Sequence, residues 1–134
     1  MTKSPRTLSI SIHRPPAVVE AFITDPRNLP SWAAGLGTSV RCEDGQWFVA
    51  TLQGEVRIRF VEPNSFGVVD HWVRIAPDVE IHMPMRVLPN GPGSEVLITV
   101  FPPATMTAEQ FAADLELIRA DLQSLKRVLE GTVA

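Results

Sequence analysis

The sequence is poor in several features that would decide its class. It has one cysteine, Cys42, no tyrosine and no block of basic residues, and no segment approaches the roughly 18 consecutive apolar residues of a membrane span. A lone cysteine excludes an internal disulfide, and nothing resembles the paired Cys and His spacing of a zinc site, so no metal is expected. The cytoplasm, a reducing compartment, is where such a chain is expected. Twelve Lys and Arg against fifteen Asp and Glu give a net charge of −3, which removes the electrostatic case for nucleic acid or an anionic membrane surface. The N-terminal Met1-Thr2-Lys3-Ser4-Pro5-Arg6 is charged but has no apolar stretch of signal length, so neither export nor membrane insertion is expected. Apolar residues are plentiful. At 134 residues and 45% hydrophobic, the chain suits one globular domain, expected over 6–131, which buries about two-thirds of its extended surface.

Twelve prolines punctuate the chain. Leu8, Ile10 and Ile12 alternate with polar residues, the period of a half-buried strand. Arg14-Pro15-Pro16 ends that strand, and Val18, Val19, Phe22 and Ile23 recur at helical spacing, which predicts a short helix over 16–24. Asp25-Pro26 stops it, and Asn28 to Gly35 reads as a second short helix closed by glycine. From 38 to 101 turn residues separate what reads as an antiparallel meander of six strands, with nearly every proline at a break. Pro84 is the exception and suggests an edge or a bulge.

The strongest element is a helix over 107–130. Phe111, Leu115, Ile118, Leu122, Leu125 and Leu129 form one continuous stripe. Thr107 with Gln110 makes a capping box, Met106 with Phe111 a hydrophobic staple, and Gly131 the stop. At about 2 kcal/mol for each buried side chain, the stripe must lie on something. That is either this domain's own sheet, which a small domain favours, or another subunit.

Pairing fixes which side chains face inward between Val68 and Val87. With Ala76-Pro77-Asp78 as the loop, Ile75 faces Val79, Val73 faces Ile81, His71 faces Met83 and Val69 faces Met85, all on one apolar side. The other side pairs Arg74 with Glu80, Trp72 with His82, and Val68 with Arg86. His71 is then interior, while Asp70, Trp72 and His82 look outward. Without a bulge Asp70 and His71 cannot form a dyad, nor can His71 and His82 share a metal. Around Gly54 two registers remain open, one turning Trp47, Val49 and Thr51 inward, the other Phe48, Ala50 and Leu52. Val56, Ile58 and Phe60 face inward in both, and Arg57 and Arg59 face out.

The order of elements, through Ser9-Ile10-Ser11-Ile12, Pro15-Pro16-Ala17-Val18-Val19, Thr24-Asp25-Pro26, Leu29-Pro30-Ser31-Trp32 and the terminal helix, resembles the START-like superfamily. Within it the chain is similar to the polyketide cyclase/dehydrase and lipid-transport group, relatives of the birch pollen allergen. Gly67 to Val73 with Pro84-Met85-Arg86-Val87 resembles a bacterial subgroup. The resemblance implies an α+β helix-grip fold: a curved antiparallel sheet of about seven strands around the C-terminal helix, with two short helices after the first strand. It implies a cavity between sheet and helices that binds a hydrophobic small molecule, and for some relatives cyclisation, dehydration or hydrolysis. No cofactor follows from it.

The expected lining is Trp32, Val56, Ile58, Phe60, Val69, His71, Met83 and Met85, with Phe111, Leu115 and Ile118 from the helix. His71 is the candidate for ligand contact or acid–base chemistry, although a histidine satisfied by the protein itself is the plainer reading. Met83 and Met85 suit an adaptable wall or ordinary core filling. Trp32 matches a cavity-mouth residue by resemblance, or anchors its helix. On the outer face, Arg57, Arg59, Arg74 and Arg86 read as solvated charge. Trp72 beside His82 there suggests a partner surface, with a homodimer or a co-chaperone role as the reading. Gly35-Leu36-Gly37 precedes a strand, so no helix N-terminus offers a phosphate site. Cys42 is expected to be a small buried apolar group.

Overall fold

A computed structural model describes residues 4–33 and 37–131. Alternation makes strand β1 (Arg6–Ile12), with Leu8 and Ile12 buried. Helix α1 (Pro16–Ile23) starts on a proline, which in the first turn forfeits no hydrogen bond. The Asp25 carboxylate accepts the Arg27 amide at 3.0 Å and sets a 3-10 turn (Pro26–Asn28), after which comes helix α2 (Leu29–Trp32). Gly35, expected to close α2, lies outside the described residues, as does Leu36.

Seven further strands follow: β2 (Ser39–Glu43), β3 (Gln46–Thr51), β4 (Gly54–Phe60), β5 (His71–Ala76), β6 (Val79–Met83), β7 (Met85–Asn90) and β8 (Gly93–Val100). Helix α3 (Ala108–Glu130) completes the fold. The strands form a five-stranded sheet, β2-β3-β4-β5-β6, and a three-stranded sheet, β1-β8-β7. Six strands are expected between 38 and 101, and Pro84 accounts for the seventh. Lacking an N–H for the ladder, it divides the run into β6, which stays on β5, and β7, which pairs with β8. Pro89 sits inside β7 rather than at a break, which an edge strand of the smaller sheet tolerates.

The segment before β5 stitches the two sheets together at this joint. The Val69 N–H donates to the Met85 carbonyl at 2.9 Å and the Val87 N–H to the Gly67 carbonyl at 2.8 Å. Gly67 has φ +72 and lies so close to β7 that a Cβ would overlap the Val87 carbonyl oxygen. Only glycine meets both demands.

Register follows the pairing argument along most of β5 and β6: His71 lies opposite Met83, Trp72 opposite His82, Val73 opposite Ile81 and Arg74 opposite Glu80. At the tip the structure corrects it. Ala76 faces Val79, with an irregularity at Ile75, so the turn consists of Pro77 and Asp78 alone. Around Gly54 the first register holds: Trp47 lies opposite Ile58 and Val49 opposite Val56, with Val49 and Ile58 fully buried. Cys42 is exposed, not buried as expected, because β2 is an edge strand whose far end runs beyond the core.

Helix α3 begins in the expected capping box, with the Gln110 N–H donating to Thr107 Oγ1 at 3.1 Å and the Thr107 N–H to Gln110 Oε1 at 2.9 Å. Its stripe grips this chain's own sheets. Leu115, Leu122, Leu125 and Leu129 are buried in one cluster with Leu8, Val96 and Ile98, while Phe111 and Ile118 pack half-buried against it. Its C-terminal end is tied to the segment around β1. The Arg14 guanidinium donates to the Leu129 carbonyl and the Lys126 ammonium to the Ser11 carbonyl, both at 2.7 Å, and the His13 N–H donates to the Glu130 carboxylate at 2.9 Å. The architecture is the α+β helix grip. Among the described residues, no helix is long and apolar enough to cross a membrane.

Candidate functional site

The inner faces of β5 and β6, helix α2, the β3–β4 hairpin and residues Asp114–Leu122 of α3 line a cavity of about 640 Å³. Ala33, Val56, Val73 and Met83 line the space between sheet and helix. Met85, Ile98 and Leu122 form its deep wall, and Ile75, Ile81 and Leu117 its lip. These lip residues are exposed, Leu117 by 53%. Thr51, Gln53 and the carboxylates of Glu55, Asp114 and Asp121 complete the lining.

Two polar rings sit in the apolar part of this wall. His71 and Trp32 are both buried, and neither His71 Nδ1 nor Trp32 Nε1 has a hydrogen-bond partner among the described residues. The His71 ring packs tilted on Phe60 at 5.1 Å. Burial pushes its imidazole from the ordinary 6.5 down to about 4, against the opposing pull of the Val69 backbone and the Asp70 charge, so it is uncharged near neutral pH.

Asp70 lies on the other side of the sheet. Its Oδ2 is 2.8 Å from His82 Nε2. The His82 ring stacks on Trp72 at 4.8 Å, and the Arg59 guanidinium lies 4.2 Å from the Trp72 ring centre. Arg59 also reaches Glu80 at 3.4 Å. Trp72, expected to be an exposed partner surface, is therefore half-covered by its own cross-strand neighbours. The outward placement of Asp70, Trp72, His82, Arg57 and Arg59 is as the alternation requires. Among the described residues no three His, Cys, Asp or Glu side chains gather into a metal site.

A second opening, of about 740 Å³, lies between α1 and the far end of β4. It takes Ile58, Phe60 and Val69 from the expected set, but Glu20, Arg57, Arg59 and Glu62 also line it. The structure thus divides the expected lining. Trp32, Val56, His71, Met83, Met85 and Ile118 meet in the cavity under α3. Ile58, Phe60 and Val69 border the charged opening, and Phe111 and Leu115 pack into the helix's contact with the core. Leu29, Asp114, Leu117 and Asp121 were not anticipated. Asp114, Leu117, Ile118 and Asp121 recur at steps of 3, 1 and 3 beside the apolar stripe, a helical-face signal that was present in the sequence.

The fold has solved relatives. The Aha1 dimer from Colwellia psychrerythraea is similar over 98% of this chain and 99% of its own, at 14% identity and a TM-score of 0.74. The protein XoxI from Bacillus cereus is similar over 94% and 95%, at 19% identity and a TM-score of 0.71. Ara h 8.0201 is similar over 98% and 100%, at 11% identity and a TM-score of 0.67. Such identities speak for the fold alone. No curated protein matches the sequence. The family described as polyketide cyclase/dehydrase and lipid transport matches residues 6–130, and the chain belongs to that family.

Proposed function

We propose that the protein binds an apolar small molecule, lipid-like, polyketide-like or aromatic, in the cavity between α3 and the five-stranded sheet. The observation that carries this reading is the cavity itself. Its volume of about 640 Å³ exceeds the roughly 300 Å³ at which ligand pockets begin, and its deep wall is apolar. A ligand burying about 300 Å² of apolar surface gains about 7 kcal/mol before the costs of association, so burial of that size alone caps affinity near the micromolar scale. The family description, which couples cyclases and dehydrases with lipid transport, agrees with such a cavity.

In this reading His71 is a neutral hydrogen-bonding group of the wall. Acid–base catalysis by His71 has less support, since the neighbouring carboxylate, Asp70, is engaged by His82 and Met85 on the opposite side of the strand. The exposed thiol of Cys42 suits a reducing cytoplasm.

Titration with N-phenyl-1-naphthylamine, which fluoresces on transfer from water, tests the proposal. Saturable enhancement at micromolar concentrations is expected, and Ile118→Trp, which fills the space, should weaken it at least tenfold with an unchanged far-ultraviolet circular dichroism spectrum. A protein that takes up neither this probe nor any compound found by native mass spectrometry would refute the reading.

A further inference from the structure

We infer that the cavity discriminates by charge, accepting uncharged or cationic apolar ligands and turning away free carboxylates. The inference rests on the binding reading above and concerns the class of ligand. Among the described residues, no lysine or arginine lines the cavity, whereas Glu55, Asp114 and Asp121 do. The nearby Arg41 guanidinium is engaged, with Glu55 at 2.6 Å and Glu43 at 2.9 Å. It neutralises Glu55 and leaves no free cation for a ligand there.

An amphiphile can enter in two orientations, and an anion fares badly in both. Head first, its carboxylate meets Met85, Ile98, Leu122 and two uncharged rings, His71 and Trp32, with no counter-charge. The Trp32 N–H can donate to that carboxylate, but burying it with no counter-charge is still disfavoured against a neutral head. Head outward, it lies at the lip beside Asp114, one helical turn before Leu117 and Ile118 on α3. Like charges within a Debye length repel. A hydroxyl or ester pays neither penalty, and an ammonium head at the lip meets opposite charge.

Displacement of the bound naphthylamine probe by ligands of one chain length tests this at neutral pH. Decanol, decylamine and methyl decanoate are expected to displace it, with decanoate at least tenfold weaker than decanol. In Asp114→Lys the decanoate-to-decanol ratio should shrink at least threefold. Decanoate matching decanol and its methyl ester in the native protein would overturn the charge selection while leaving the binding reading intact. A ratio unmoved in a folded Asp114→Lys protein would overturn it as well. Failure of the neutral probe to bind at all would instead remove the binding reading, and this inference with it.

Discussion

Asp70 Oδ1 accepts the Met85 N–H at 2.8 Å, so a side chain takes the place of a backbone rung where the strands change sheet. Met85 follows Pro84 and is 1% exposed, and its amide would otherwise be buried without a partner. An orphaned buried donor costs about 1–3 kcal/mol. Asp70→Ala is therefore expected to lose about 2 kcal/mol in urea unfolding, and Asp70→Asn, whose amide oxygen can still accept, distinctly less. Equal losses would show that the bond does not hold the joint.

His71 makes stability depend on pH in a defined window. Its imidazole titrates at about 4 in the folded protein and near 6.5 when released. Between these values the unfolded chain binds a proton that the native state refuses. Stability is then full above pH 6.5 and falls as the pH drops towards 4, by up to about 3 kcal/mol. His71→Phe should flatten this part of the profile. Superimposable profiles for the two proteins, measured by urea unfolding at successive pH values, would mean that the folded imidazole protonates normally.

Two glycines with similar backbone angles should respond differently to alanine. Gly67, at φ +72, would place a Cβ against the Val87 carbonyl, whereas Gly45, at φ +76, has nothing within 4 Å. Gly45→Ala should cost about 1 kcal/mol, the conformational penalty alone. Gly67→Ala adds a clash at the joint and should lose at least about 2 kcal/mol. Thermal unfolding of the pair provides the comparison.

Arg57 and Arg74 lie directly opposite each other on β4 and β5. Like charges in that position are destabilising by a few tenths of a kcal/mol up to about 1. Arg57→Thr leaves Arg74 facing Glu80 and should raise stability by about 0.5 kcal/mol at low salt, with the gain shrinking as salt is added. A loss at all salt concentrations would show that the Arg57 stem contributes more by packing than its charge costs.

Local periodicity and capping made β1, α1 and α3 legible, because each signal lies within a few residues of the element it specifies. The β5–β6 register was legible for the same reason: parity gives a consistent apolar side from His71 opposite Met83 to Val73 opposite Ile81. Pro84 was not. A proline in a strand fits an edge, a bulge or a joint, and the choice is made by Gly67 and Val69, far away in sequence.

The candidate site shows a related limit. Parity placed Ile58 and Phe60 on the same face as Val56, but it cannot say that the strand's far end leaves the α3 cavity for a different opening. The helix stripe identified what packs. Asp114 and Leu117, one step off that stripe, border the space that packing leaves, and a hydrophobic pattern carries no signal for a space.

The ties between α3 and the chain around β1 gather at one end of the helix. Arg14, Lys126 and Glu130 bolt its last turns in place, while the stretch Asp114–Leu122 spans the void. The helix thus carries these polar ties at its C-terminal end, with side-chain packing along the cavity. Lifting the stretch Asp114–Leu122 to admit a guest would disturb Ile118 and the contacts around Leu115, yet leave Leu125 and Leu129 clamped in the core. The doorway and the keystone belong to one continuous element, and amide exchange along it should run from fast to slow towards the anchored end.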